Sequence, residues 1–171
     1  MTRSMKWVTR VAAGVVAVAG GSAVAGYFLP RDITSASSEF IAKPPQDVWN
    51  VLADHERLPS WAPDFKSVRV LQTTPTMKWE ATGSDGTSFV FEDVVRNAPH
   101  ELVSRIESGN REFSGTWTLR IDEAQGGSNV SVTSQTGIGN PYYRLLGHLF
   151  LAKDKDRQSL ENLKRMLEKT A

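Results

Sequence analysis

The sequence predicts an α+β protein: a curved antiparallel sheet of about seven strands around a long C-terminal helix, preceded by one transmembrane helix. Three observations predict it. Residues 11–29 form 19 consecutive positions without a charge. From about residue 67 to 138, short alternating segments are separated by turn residues, with no room for crossover helices. After Asn140 the apolar period changes from two to that of a helix and stays there to Glu168. The 171 residues suit one domain plus an appendage, and 40% hydrophobic with 23% charged residues excludes a disordered chain. The absence of cysteine excludes a disulfide scaffold, a thiolate metal site and a thiol nucleophile.

Residues 1–10 read as a basic cytoplasmic tail, since Arg3, Lys6 and Arg10 precede the apolar run and only Arg31 closely follows it. Nineteen helical residues reach roughly the 30 Å of a bilayer core. Trp7 on one side and Tyr27-Phe28 on the other suit the interfaces, and Pro30 ends the helix. A cleaved signal peptide is the alternative, with Ala23-Val24-Ala25 as its site, although the apolar run continues beyond it to Leu29. Either reading leaves the N-terminus cytoplasmic and residues 31–171 extracytoplasmic. Small residues at Ala13, Ala17, Gly21 and Ala25 are spaced for weak self-association of the span. The three basic residues of the leader leave the rest with 17 positive against 19 negative side chains, which is no footprint for nucleic acid.

Thr34 to Ala42 is expected as a strand, broken by Lys43-Pro44-Pro45. Pro45 suits the first turn of a helix that continues over Gln46 to Ala53, with Val48, Trp49, Val51 and Leu52 as its apolar face. Asp54 to Trp61 reads as a second short helical turn, with Asp54 as its cap and Pro59 and Pro63 as its stops. Strands follow over Ser67–Gln72, Met77–Thr82, Thr87–Arg96, Glu101–Glu107, Phe113–Ile121 and Asn129–Ile138. Ser84-Asp85-Gly86, Asn97–His100, Ser108–Asn110 and Gln125–Ser128 are the turns between them. Within residues 88–95 two apolar sets compete, Phe89/Phe91 and Val90/Val94, so the inward phase stays open. Asn140 is an N-cap and Pro141 a first helical residue. The segment from Tyr142 to Ala152 is apolar almost all round, with Arg144 and His148 as exceptions. Its continuation is amphipathic at Leu160, Leu163, Met166 and Leu167.

Two segments carry a family resemblance. Phe40 to Asp54 followed by Leu58-Pro-Ser-Trp61-Ala-Pro63 resembles the opening motif of the SRPBCC (START-like) superfamily, which includes the polyketide cyclase/dehydrase and lipid-transport proteins and the birch-pollen-allergen type. Phe113 to Leu119 and Leu160 to Leu167 match the same pattern, so the resemblance spans about residues 31–169. It implies the helix-grip fold, and a branch of such proteins begins with a membrane helix ending in Leu-Pro, as Leu29-Pro30 does here. These motifs specify turns and packing rather than chemistry.

One helix cannot fill the concave side of a curved sheet, so an apolar cavity is expected between sheet and helix. Phe89, Phe91, Phe113, Trp117 and Leu119 are its expected walls, with Tyr142, Leu145, Leu146 and Leu149 as the lid. For each of them ordinary core packing is the competing role. No catalytic set, cofactor loop or metal-ligand spacing is recognisable: His55, His100 and His148 are far apart, and no phosphate loop or nucleophile elbow is present. Asp93 and His148 are the side chains that could do acid–base work, Asp93 if burial raised its pKa and His148 if it met a ligand head group. An ionised carboxylate at Glu92 or Asp93 would instead pair with an arginine such as Arg105. The expected function is membrane-tethered binding or transport of an apolar small molecule or lipid without a cofactor. A cyclase/aromatase-type enzyme and a filled protein-interaction domain are the alternatives.

Overall fold

A computed structural model describes residues 27–107, 113–141, 144 and 154–169. The expected membrane span, up to residue 26, and the expected lid residues Tyr142, Leu145, Leu146 and Leu149, with His148, lie outside the described residues. Among the described residues no helix is long and apolar enough to cross a membrane.

The chain runs β1 (Asp32–Ile41), α1 (Pro45–Leu52), a 3₁₀ turn (His55–Arg57), α2 (Leu58–Trp61), β2 (Phe65–Gln72), β3 (Lys78–Gly83), β4 (Ser88–Asn97), β5 (Glu101–Ile106), β6 (Phe113–Ala124), β7 (Gly127–Ile138) and α3 (Asp154–Lys169). Seven strands form one antiparallel sheet in the order β1-β7-β6-β5-β4-β3-β2. From β2 to β7 consecutive strands pair, and the connection carrying α1 and α2 passes from one edge of the sheet to the other. Bulges at 65/67 and 70/72 in β2 and at 93/95 in β4 interrupt the ladders, a device that bends and twists a strand locally.

Several strands are longer than the alternation suggests, because backbone pairing continues past the apolar residues. β1 and β7 pair over ten positions, from Asp32 opposite Gly137 to Ile41 opposite Ser128. The turn after β6 needs only Gln125-Gly126, with Gly126 at φ +81°. α1 starts at Pro45 and buries Val48, Trp49, Val51 and Leu52, as its period requires. Asp54 makes no side-chain cap bond; its carboxylate faces Arg57 at 3.7 Å on the surface.

The register sorts every strand residue onto one of two faces. The inner face carries Trp79, Phe91, Leu102, Leu119, Ile121, Val130 and Val132, all buried. Against it lie α1, α2 and the apolar side of α3, where Leu160 and Leu163 are fully covered. Lys164 closes on Glu39 of β1 at 2.6 Å, and Glu168 accepts the Ala42 N–H at 2.9 Å, which fixes α3 along the β1 edge. Pro141 and Arg144 are helical and the Arg144 N–H donates to Asn140 O at 2.9 Å, so a helix begins where the cap residues place it.

Candidate functional site

The inward phase of β4 is settled by pairing. Phe89 faces Ala81 and Phe91 faces Trp79, so Phe89, Phe91 and Asp93 point inward while Val90, Glu92 and Val94 point outward. Residues 93 and 96 would lie on opposite faces of a regular strand. The bulge at Val94 shifts the phase by one, and Arg96 joins Asp93 on the inner face.

Asp93 is thereby buried, with its side chain fully covered. Its Oδ2 accepts from His55 Nε2 at 2.7 Å and from Arg96 Nη1 at 2.6 Å. Its Oδ1 accepts from Ser104 Oγ at 2.7 Å and from Trp79 Nε1 at 3.0 Å. His55 stacks on Trp79 at 4.3 Å between ring centroids, and Trp79 stacks on Phe91 at 4.4 Å. Arg96 also reaches the Ala53 carbonyl at 3.2 Å, so the cluster pins the end of α1 and the 3₁₀ turn to the sheet.

Burial alone would raise the Asp93 pKa, and that is its largest single influence. The bond and charge of His55, together with the Trp79 and Ser104 bonds, outweigh it and hold the carboxyl down at about 2. The expectation of a raised pKa for a buried Asp93 is therefore corrected: every lone-pair direction is occupied by a donor, and the group stays ionised. Glu92, on the outer face, takes the arginine that was expected, Arg105, at 3.2 Å, and also accepts from Thr76 Oγ1 at 3.0 Å. Those two bonds lower its pKa.

The expected pocket walls fall into two groups. Phe91 and Leu119 are core residues, 8% and 4% exposed. Phe89, Phe113 and Trp117 are half-buried on the inner face. Phe89 meets Phe113 edge to face at 6.1 Å, while Trp117 lies between Trp61 at 6.1 Å and Phe65 at 6.0 Å. Under α3 the space is closed: the crevice bordered by Trp61, Trp117, Leu119, Val132, Asp156 and Leu160 offers about 0 Å³ to a water-sized molecule. A groove of about 710 Å³ lies instead along the register row Glu92, Arg105, Thr116, Gln135 and Thr34. These side chains occupy the outer face, and the groove is polar.

Sequence reasoning missed His55, Trp79, Arg96, Ser104 and Trp61 as parts of the inner constellation. His55 and Arg96 reach it through a turn and a bulge, which leave no periodic signal. Trp61 stood inside the recognised Leu58–Pro63 motif, and a tryptophan ending a four-residue helix was the available hint. Among the described residues no group of three or more His, Asp or Glu side chains is placed to hold a metal ion.

The family described as polyketide cyclase / dehydrase and lipid transport matches residues 32–168. Among curated proteins no sequence match is found. Similar solved structures include the Zhui aromatase/cyclase of a Streptomyces species, at 12% identity and TM-score 0.69, covering 80% of this chain and 94% of that one. A protein of Mesorhizobium loti shares 16% identity at TM-score 0.65, over 81% of this chain and 99% of its own. One of Deinococcus radiodurans shares 18% identity at TM-score 0.60, with the same coverages of 81% and 99%. At such identities these likenesses concern the fold.

Proposed function

The chain belongs to the polyketide cyclase/dehydrase and lipid-transport family, and from that premise we propose that it binds an apolar small molecule or lipid on the inner face of its sheet. The observation that carries this reading is the half-buried aromatic set of Phe65, Phe89, Phe113 and Trp117, which the core leaves partly uncovered. Such a surface supplies affinity by desolvation, about 0.8 kcal/mol per CH₂ buried, without needing many polar contacts. Binding is favoured over a cyclase reaction because Asp93 is committed to four donors and is ionised, which removes it as an acid.

The same reading places the domain at a membrane, tethered through residues 11–29 with the N-terminus cytoplasmic. Its support is the uncharged run with its basic flank. Tyr27 and Phe28 are 71% and 81% exposed, and Arg144 Nη1 donates to Leu29 O at 3.2 Å, so no slack separates the end of that run from the domain.

The test is organic extraction of the full chain, purified in mild detergent, followed by mass spectrometry against a mock purification. A lipid or aromatic species enriched with the wild type and depleted severalfold in Trp117→Ala is the expected result. Extracts indistinguishable from the mock, together with no thermal shift from any member of a lipid panel, overturn the reading.

A further inference from the structure

Trp61 is 2% exposed, and its indole N–H has no hydrogen-bond partner among the described residues. Leaving a buried donor unpaired costs about 1–3 kcal/mol, and folded proteins rarely tolerate it without a reason. Trp61 borders the crevice under α3 together with Asp156 and Ser159, and that crevice has no room for a water to satisfy it. Trp61 stacks on Trp117, whose register partner is Ser134, and Ser134 Oγ donates to Asp156 Oδ1 at 3.2 Å. Ser35 lies directly opposite Ser134 on the same face, and its hydroxyl is a second buried group without a partner among the described residues. Polar groups from α2, β1, β7 and α3 thus gather at one end of the aromatic wall.

We infer that this enclave seats the single neutral oxygen of an otherwise apolar ligand — a hydroxyl or ketone — with the Trp61 N–H as donor to it. The inference rests on the binding reading above and names the ligand class for the same face. Asp156 supplies the discrimination: a ligand carboxylate or phosphate entering the crevice meets its negative charge, whereas an alcohol or ketone does not. Room can be made at the described start of α3: among the described residues its side chains there are tied by the long Ser134–Asp156 bond and by the exposed Lys155–Asp64 pair at 3.1 Å, while Leu160 and Leu163 keep the following turns in place.

Equilibrium dialysis of the full chain in lipid nanodiscs, with empty nanodiscs as blank, tests this with naphthalene, 2-naphthol and 2-naphthoate. The wild type should bind 2-naphthol about fivefold more tightly than naphthalene, the worth of one neutral hydrogen bond, and 2-naphthoate more weakly than either. Trp61→Phe should bring 2-naphthol to within about twofold of naphthalene, read as the ratio of the two affinities in the same variant. Asp156→Asn, a half-exposed and conservative change, should strengthen 2-naphthoate severalfold relative to naphthalene in the same variant. Equal binding of the three probes by the wild type, or an undiminished 2-naphthol preference in Trp61→Phe, overturns this inference and leaves the binding reading intact. No binding of any probe also overturns this inference, while the binding reading is decided by the extraction and the lipid panel.

Discussion

At Asp93 a one-residue insertion in a strand decides what a carboxylate does. The bulge at Val94 turns Arg96 inward, and two donors then meet on Oδ2 while Ser104 and Trp79 occupy Oδ1. The folded state holds this carboxyl at about 2 against an ordinary 3.8. A depressed folded pKa means that the unfolded chain binds the proton first, so the stabilisation is complete above pH ~4 and is lost as pH falls through ~2. The linkage is worth about 2 kcal/mol. Chemical denaturation of the full chain, followed by tryptophan fluorescence between pH 5 and 2, should show that loss in the wild type and a flatter acid limb in Asp93→Asn. The same substitution should cost about 3 kcal/mol at pH 7, because Arg96 and His55 lose their buried counterpart. An unchanged acid limb would show that Asp93 is not the group that titrates.

The elements show where backbone geometry overrides side-chain chemistry. Gly127 opens β7 so close to β1 that a Cβ there would stand 2.2 Å from Ile41 O and 2.9 Å from Ala42 Cα. Backbone atoms cannot swing aside as a side chain can, so Gly127→Ala should destabilise by about 3 kcal/mol, whereas Gly86→Ala should lose only about 1 kcal/mol, the strain of its φ of +86° in open space. Denaturation midpoints of the two variants check this order, and equal shifts would count against the clash. α3 is held differently. Leu163 is fully buried, and Leu163→Ala should cost about 2–5 kcal/mol by cavity formation, read as a lowered midpoint with an unchanged slope. All the strands and helices described here were readable in the sequence, since alternation in Phe113–Ile121 and the Val48/Trp49/Val51/Leu52 face of α1 are local patterns. Their ends were not, because β1 and β7 extend by backbone pairing that no side chain signals. The inner constellation was only partly readable. Phe113 and Trp117 announce themselves by alternation, Phe89 needed the β3–β4 pairing to choose between two apolar sets, and His55, Arg96 and Trp61 are brought in by turns and a bulge whose effect exists only in three dimensions.

On the scale of the molecule, the proposed binding face and the proposed tether answer different physical demands. An apolar ligand is scarce in water and concentrated in a bilayer, so a receiver held at the membrane meets it where it is abundant. Arg144 donates to the carbonyls of Ile138 and Gly139 at 3.2 and 2.9 Å as well as to Leu29, which ties the exit of β7 to the end of the apolar run. If residues 11–29 are the tether proposed above, a domain joined so closely to them is held against the headgroups. The full chain should then remain in the pellet when membranes are washed with alkaline carbonate, and protease added to the outer side should digest residues 31–171 while the basic N-terminus stays protected. Intact mass distinguishes the competing fate. A chain shortened after Ala25 and found in the wash would be a processed, released domain, able to carry a ligand across water but not to wait for one at the surface. A full-length chain in the pellet, protected from protease until the membrane is permeabilised, would put the domain on the cytoplasmic side and overturn the orientation argued from Arg3, Lys6 and Arg10.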